Sequence, residues 1–232
     1  MKQISDLPWT DLLHELDQSG FARIPQLLAP EECHELSSQY HTGSLYRNTI
    51  SMERYRFGRG EYKYFAYPLP PQIARIRTDV YTPLSQLANK WMQALGIAIS
   101  YPETHAEFLD QCHEAGQTRP TPLILKYEKS GYNTLHQDLY GAIYFPFQVV
   151  VLLTEPSKDH EGGELIFVEQ LPRAQSKAAA VTPHQGDAVI FTTNFRPVQG
   201  TRGWYRARMK HGVSPVTAGT RYACGIIFHD AA

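Results

Sequence analysis

Cysteine is scarce in this chain of 232 residues: Cys33, Cys112 and Cys224 are scattered, odd in number and without a C-x-x-C pair. That argues against a disulfide framework or a cysteine zinc site, and suits reduced thiols in a cytoplasmic protein. An excess of charge of one sign is also missing. Lys and Arg number 22 against 23 Asp and Glu, so a net charge of −1 gives the molecule no polyanion-seeking field. No apolar run approaches the ~20 residues of a membrane span. The opening "MKQISDLPWTDLLHELDQSG" has no signal-peptide core. Internal repeats and low-complexity tracts do not occur. "GRGEY" lacks both the lysine and the strand–helix context of a phosphate loop, and no G-x-S-x-G elbow exists. P-loop and serine-hydrolase chemistry therefore have no support.

What is present is the material of one sizeable core: 42% hydrophobic residues, with 14 Tyr and 10 Phe that favour β structure. The chain changes character near residue 117, which divides it into a helical and hairpin region, 1–116, packing on a β core, 117–232. In the first part "SDLPWTDLLHELDQSG" starts at a capping residue, spaces Leu12, Leu13 and Leu16 helically and ends near Gly20. "FARIPQLLAPEECHELSSQY" reads as a short strand, then a helix with Pro30 in its first turn and Glu31 and Glu32 at its positive end. Residues 79–96 form a third helix with Leu84, Leu87, Ala88, Trp91 and Leu95 on one face, and 103–114 a fourth. After residue 117, β runs alternate with turn signals: "TPLILKYE", "GAIYFPFQVVVLLTEP", "GELIFVEQ", "AAAVTP", "GDAVIFTT" and "RYACGIIFHD". "LPRAQSKAAA" reads as a surface loop. The expected fold is mainly β with flanking helices, a sandwich or barrel of the jelly-roll kind.

The chemistry is concentrated in "YNTLHQDLYG". On an extended segment alternate side chains share a face, so His136 and Asp138 form a two-toothed clip. Alone, such a pair is weak in a chain with ten histidines. A third ligand, His211 in "MKHGVSPVTAGTRYACGII", changes that, because two histidines and a carboxylate make the facial triad of non-haem Fe(II) oxygenases. Such a triad leaves positions for a chelating keto acid and for O2. Ten residues beyond His211 stands Arg221, whose guanidinium fork suits the far carboxylate of 2-oxoglutarate.

In this pattern of His136, Asp138, His211 and Arg221 the chain resembles the Fe(II)/2-oxoglutarate-dependent dioxygenases with a double-stranded β-helix core. The resemblance covers roughly 117–230, with echoes in "GFARIPQLLAPEECHEL" and "EGGELIFVEQ". It implies Fe(II), 2-oxoglutarate and O2, and hydroxylation of a C–H bond. It also assigns Tyr127 to the co-substrate, since prolyl-hydroxylase-like members carry a tyrosine there. "FPFQVVVLLTEP", "RPVQGTRGWYRARMKHGVS" and "GIIFHDA" resemble a prokaryotic branch described as nucleic-acid oxygenases. Two departures stand out. Ala223 replaces a serine common in small-molecule members, and the second arginine and the asparagine of AlkB-type demethylases are missing.

"YRNTISMERYRFGRGEYKYFAYPLP" interleaves cations with aromatic rings, and Arg196, Arg202, Arg206, Arg208 and Lys210 lead into His211. Such segments can hold phosphates and stack bases; a solvated hairpin looks the same. Arg54, Arg56, Tyr62, Tyr64 and Arg208 are the candidate substrate contacts. Three substrates stay open: an alkylated nucleic-acid base, a protein side chain, or a small metabolite. A jelly-roll module without catalysis is the remote alternative. His105, His113, His160 and His184 read as ordinary histidines, and His229 as a candidate for the pocket wall. Oligomeric state is not readable from the sequence.

Overall fold

The computed structural model describes residues 1–139 and 141–232. Two antiparallel sheets face each other. The larger has seven strands in the spatial order β1 (Phe21–Ile24), β11 (Ala188–Thr192), β7 (Phe147–Leu152), β15 (Arg221–Ile227), β5 (Leu123–Tyr127), β4 (Glu61–Phe65) and β2 (Tyr46–Ser51). The smaller runs β10 (Lys177–Val181), β9 (Leu165–Gln170), β13 (Gly203–Val213), β6 (Tyr132–His136) and β3 (Gly58–Arg59), with β12 (Phe195–Gly200) paired to β13. A short pair, β14 (Val216–Gly219) and β8 (His160–Gly162), stands apart from both sheets.

The helices α1 (Trp9–Ser19), α2 (Pro30–Ser38), α3 (Pro71–Ala94) and α4 (His105–Glu114) complete the chain. The apolar run "FQVVVL" in β7 explains why the larger sheet is central. Phe147, Val149 and Val151 join the helix-side core, where the Trp91 ring of α3 lies 4.7 Å from Phe147. Gln148 and Val150 point the other way, between the sheets. A strand buried on both faces reads as a continuous apolar run, not an alternation.

The four expected helices exist, with shifted bounds. Pro8, not Ser5, caps α1, because residues 4–6 form a separate 3-10 turn; the helix does stop at Gly20, in the left-handed region at φ 79°. α3 begins eight residues before 79: Pro71 occupies its first turn, and Ile73, Ile76, Arg77, Val80 and Tyr81 extend the buried stripe. "LPRAQSKAAA" is a loop only to residue 176. Its alanines form β10, an edge strand held by pairing to β9. β12 and β13 were not among the expected strands. Strands from before residue 117 form both edges of the larger sheet, β1 at one and β4–β2 at the other.

Candidate active site

The clip forms as the alternation requires, and β13 brings the third residue to it. His211 stands directly opposite His136, with ring centroids 4.2 Å apart. Asp138 reaches both: Oδ1 lies 3.4 Å from His136 Nε2 and Oδ2 lies 3.3 Å from His211 Nε2. One ligand atom from each residue falls within 4.8 Å of the others. The donor set suits a divalent iron, and the hydrogen bonding suits it further. His136 Nδ1–H donates to the Thr134 carbonyl at 2.7 Å, which leaves the Nε2 lone pair facing Asp138. Burial, then the neighbouring His211, push the His136 pKa down against the pull of Asp138, favouring the neutral imidazole that ligates metals. The residue inside the clip is a fastener: Gln137 Nε2 donates to Asn194 O at 2.7 Å and to Met209 O at 2.8 Å, tying the turn to β13.

The three residues stand in the wall of a cavity of about 260 Å³ between the sheets. At one end of it, on adjacent strands, Arg221 pairs across from Tyr127. The guanidinium carbon lies 5.6 Å from the tyrosine ring, Arg221 is 2% exposed, and its Nε has no hydrogen-bond partner. Among the described residues no carboxylate comes within ion-pair distance of it. Burial pushes the Arg221 pKa down and that of Tyr127 up to about 12, against the opposing pull of Arg221 and of Asn133 on the tyrosine hydroxyl. A buried cation with an unpaired Nε, beside a buried hydroxyl, suits a carboxylate ligand. Gly163, at φ +74°, lets the turn after β8 close on the arginine: a Cβ there would fall 2.7 Å from Arg221 Cδ. Ala223, two residues on, lines the same cavity and adds only a methyl group.

Of the candidate substrate contacts, Tyr62 and Tyr64 line the cavity, their rings edge to face at 5.4 Å. Lys63 between them turns outward, over the Tyr40 ring at 4.2 Å. Arg54 and Arg56 are not brought to the cavity. They are exposed at the turn between β2 and β3, where Tyr55 stacks on Phe57 at 5.6 Å and only Phe57 lines the cavity. Arg208 is exposed on the opposite face of β13 from His211, as an odd separation along a strand demands. His229 is buried, but its Nδ1 accepts from Phe145 N at 3.3 Å and it is not in the cavity wall. His105, His113 and His184 bind Phe228 O, Asp230 and Glu155 respectively. Sequence reasoning missed Gln137, Gln148 and Phe191. The signal for Gln148 was there, a lone carboxamide inside "FPFQVVVLL".

Two facing antiparallel sheets with a His-x-Asp…His cluster in the cavity between them define the class of 2-oxoglutarate- and Fe(II)-dependent oxygenases. The fold is shared with a Pseudomonas putida prolyl-4-hydroxylase: TM-score 0.55, 14% identity, covering 97% of this chain and 99% of that one. It is also shared with a Trichoplax adhaerens prolyl hydroxylase solved with a hypoxia-inducible-factor peptide, at TM-score 0.58 and 16% identity, covering 94% and 87%. At the sequence level, Rv2227, an uncharacterized protein of Mycobacterium tuberculosis H37Rv, is 46% identical over 168 residues, 72% of each chain. Residues 60–231 match the Oxygenase-NA family, described as "Oxygenase, catalysing oxidative methylation of damaged DNA". The chain belongs to the Oxygenase-NA family and is an oxidoreductase, which sets aside the non-catalytic module. No helix among the described residues is long and apolar enough to cross a membrane, and all three cysteines are free and buried.

Proposed function

We propose that the protein uses Fe(II) and 2-oxoglutarate to hydroxylate the alkyl carbon of a damaged nucleic-acid base, so that a methyl lesion leaves as formaldehyde. The observation that carries this reading is one cavity with two histidines and a carboxylate in its wall and an unpaired, buried guanidinium at its end. His136, Asp138 and His211 are the residues to hold the iron, and Arg221 with Tyr127 to receive the far carboxylate of 2-oxoglutarate. When bound, the pair couples decarboxylation of the keto acid to insertion of one oxygen atom of O2 into a substrate C–H bond. The chain's part is placement. Thr134 and Gln137 hold the clip, Arg221 neutralises the carboxylate, and Leu125, Val150, Leu165 and Phe191 keep the walls dry.

The nucleic-acid part is supported by the family's description and by the rim. Phe57, Tyr62 and Tyr64 give faces on which an unstacked base can rest, and Arg54 and Arg56, in the turn that carries Phe57, are exposed cations for phosphates. A second reading, hydroxylation of a protein side chain or small metabolite, is favoured by the fold likeness to prolyl hydroxylases and by Tyr127.

The test is an anaerobic titration with Fe(II), then 2-oxoglutarate, watching for the visible charge-transfer band of a chelated keto acid. Admission of O2 with a single-stranded oligonucleotide carrying one N-methylated base follows. Succinate and formaldehyde in equal amounts are expected, and His136→Ala or His211→Ala should abolish both the band and the products. A band whose turnover responds to peptides and to no oligonucleotide would transfer the assignment to the second reading.

A further inference from the structure

The cavity has a second end. Gln148 stands opposite Ile227 of β15 on one side and Phe191 of β11 on the other. Ile227 is six residues along β15 from Arg221, roughly 20 Å at ~3.4 Å per residue. A five-carbon diacid is on the order of 6–7 Å long at ~1.5 Å per bond, so a co-substrate anchored at Arg221 does not reach Gln148. Phe191, beside Gln148, packs its ring 4.6 Å from that of His211, so the amide is one strand away from the residue that covers a metal ligand. The amide therefore belongs to the substrate's part of the cavity.

Gln148 is 5% exposed, its Nε2 is buried without a hydrogen-bond partner, and its neighbours in the wall are Val150, Phe191 and Ile227. An amide N–H buried among apolar side chains is unfavourable unless something brings an acceptor to it. Tyr62, Tyr64 and Phe57 line the same cavity, so what enters is flat as well as polar.

We propose that Gln148 reads the base: its Nε2–H donates to N7, and its Oε1 accepts from the N6 amino group, of an adenine seated among Tyr62, Tyr64 and Phe57. This rests on the nucleic-acid reading above. A carboxamide presents a donor beside an acceptor, which complements adenine's N6/N7 edge and not the two acceptors, O6 and N7, of guanine or hypoxanthine. With that edge held by Gln148, an alkyl group on another edge of the ring is left to face His136, Asp138 and His211.

The experiment is a fluorescence-anisotropy titration of the anaerobic Fe(II)- and 2-oxoglutarate-loaded protein. Its probes are two labelled single-stranded oligonucleotides, identical except that one carries 1-methyladenine and the other 1-methylhypoxanthine. The wild type should prefer 1-methyladenine by roughly 10- to 100-fold, the value of one bidentate base contact. Gln148→Leu should bind the two alike, as should Gln148→Met, which keeps the length, removes donor and acceptor together and serves if the leucine variant does not fold. Preference retained in either folded variant overturns the assignment to Gln148 and leaves the nucleic-acid reading standing. Absence of preference in the wild type also overturns the assignment. If the wild type in addition releases no formaldehyde from any alkylated oligonucleotide, the nucleic-acid reading falls with it.

Discussion

Two arginines are nearly equally buried, Arg77 at 1% and Arg221 at 2% exposure, and their surroundings are opposite. Arg77, on α3, is saturated. Its guanidinium donates to Ile227 O at 2.8 Å, Phe228 O at 3.0 Å, Asp230 Oδ1 at 2.7 Å and the Tyr67 hydroxyl at 2.8 Å. His113 Nε2 meets the other oxygen of Asp230 at 2.9 Å. Arg221 has the ring of Tyr127 and an Nε with no partner. A buried charge left unpaired is costly, so a fold keeps one where something other than folding requires it. Arg77 fastens the C-terminal strand to the helical layer; the Arg221 Nε has no such partner.

Neutral replacement of the two should therefore have effects of opposite sign on stability. Arg77→Met strips its guanidinium from a fully buried Asp230 and should lower the unfolding free energy by ~3–5 kcal/mol, read from urea denaturation. Arg221→Met should raise it by roughly 1–3 kcal/mol, as removal of an unpaired buried group does. The same variant should weaken 2-oxoglutarate binding by ~100-fold or more, since each charge-assisted hydrogen bond contributes roughly 1.5–3 kcal/mol. The charge-transfer titration measures it. Equal destabilisation by both substitutions would end the distinction.

Acid should act at the Arg77 end. Burial, then the charge of Arg77, push His105 and His229 down to about 4, against an ordinary value of 6.5. Between those values the unfolded chain takes up protons that the folded chain refuses, so stability present at neutral pH is lost as pH falls from 6.5 towards 4. Asp230 adds a further loss below that range, under its ordinary value of 3.8. Burial alone would raise its pKa, but Arg77, His113 and Tyr67 outweigh burial and hold it low, so its contribution disappears as pH drops through the folded value. Thermal melts at pH 7 and pH 5 should show a falling Tm, and a His105→Gln, His229→Gln double variant should flatten the slope.

Gln148 is the neutral counterpart of Arg221, a buried donor without a partner. Gln148→Leu removes an orphaned amide and should stabilise the apo-protein by ~1–2 kcal/mol. A loss of that size in calorimetry would mean that the amide has a structural partner.

Much of the site was legible because ligand spacing is local. His136 and Asp138 share a face by strand alternation, and the odd step from Arg208 to His211 already put those two on opposite faces. The basic run before His211 drew attention to its charges and away from its alternation, which is why β13 was not foreseen. The hairpin around Tyr62 and Tyr64 was foreseen as a hairpin, yet nothing local said which face would be covered. That followed from β4 pairing with β5 beside the cavity, which turned both tyrosines inward and Lys63 out.

The order of residues along the chain is enough to give the identities: two imidazoles, a carboxylate and an arginine in the order of the oxygenase class, on strands whose apolar runs specify a two-layer β core. The distances and the costs of burial come from the assembled fold. It set His211 against His136 across a strand pair, left Arg221 Nε without a partner while giving Arg77 four acceptors, and buried the Gln148 Nε2 unpaired in the cavity wall. Alternation is a property of one strand. Which polar groups lose water, and which find partners afterwards, depends on strands far apart in the chain.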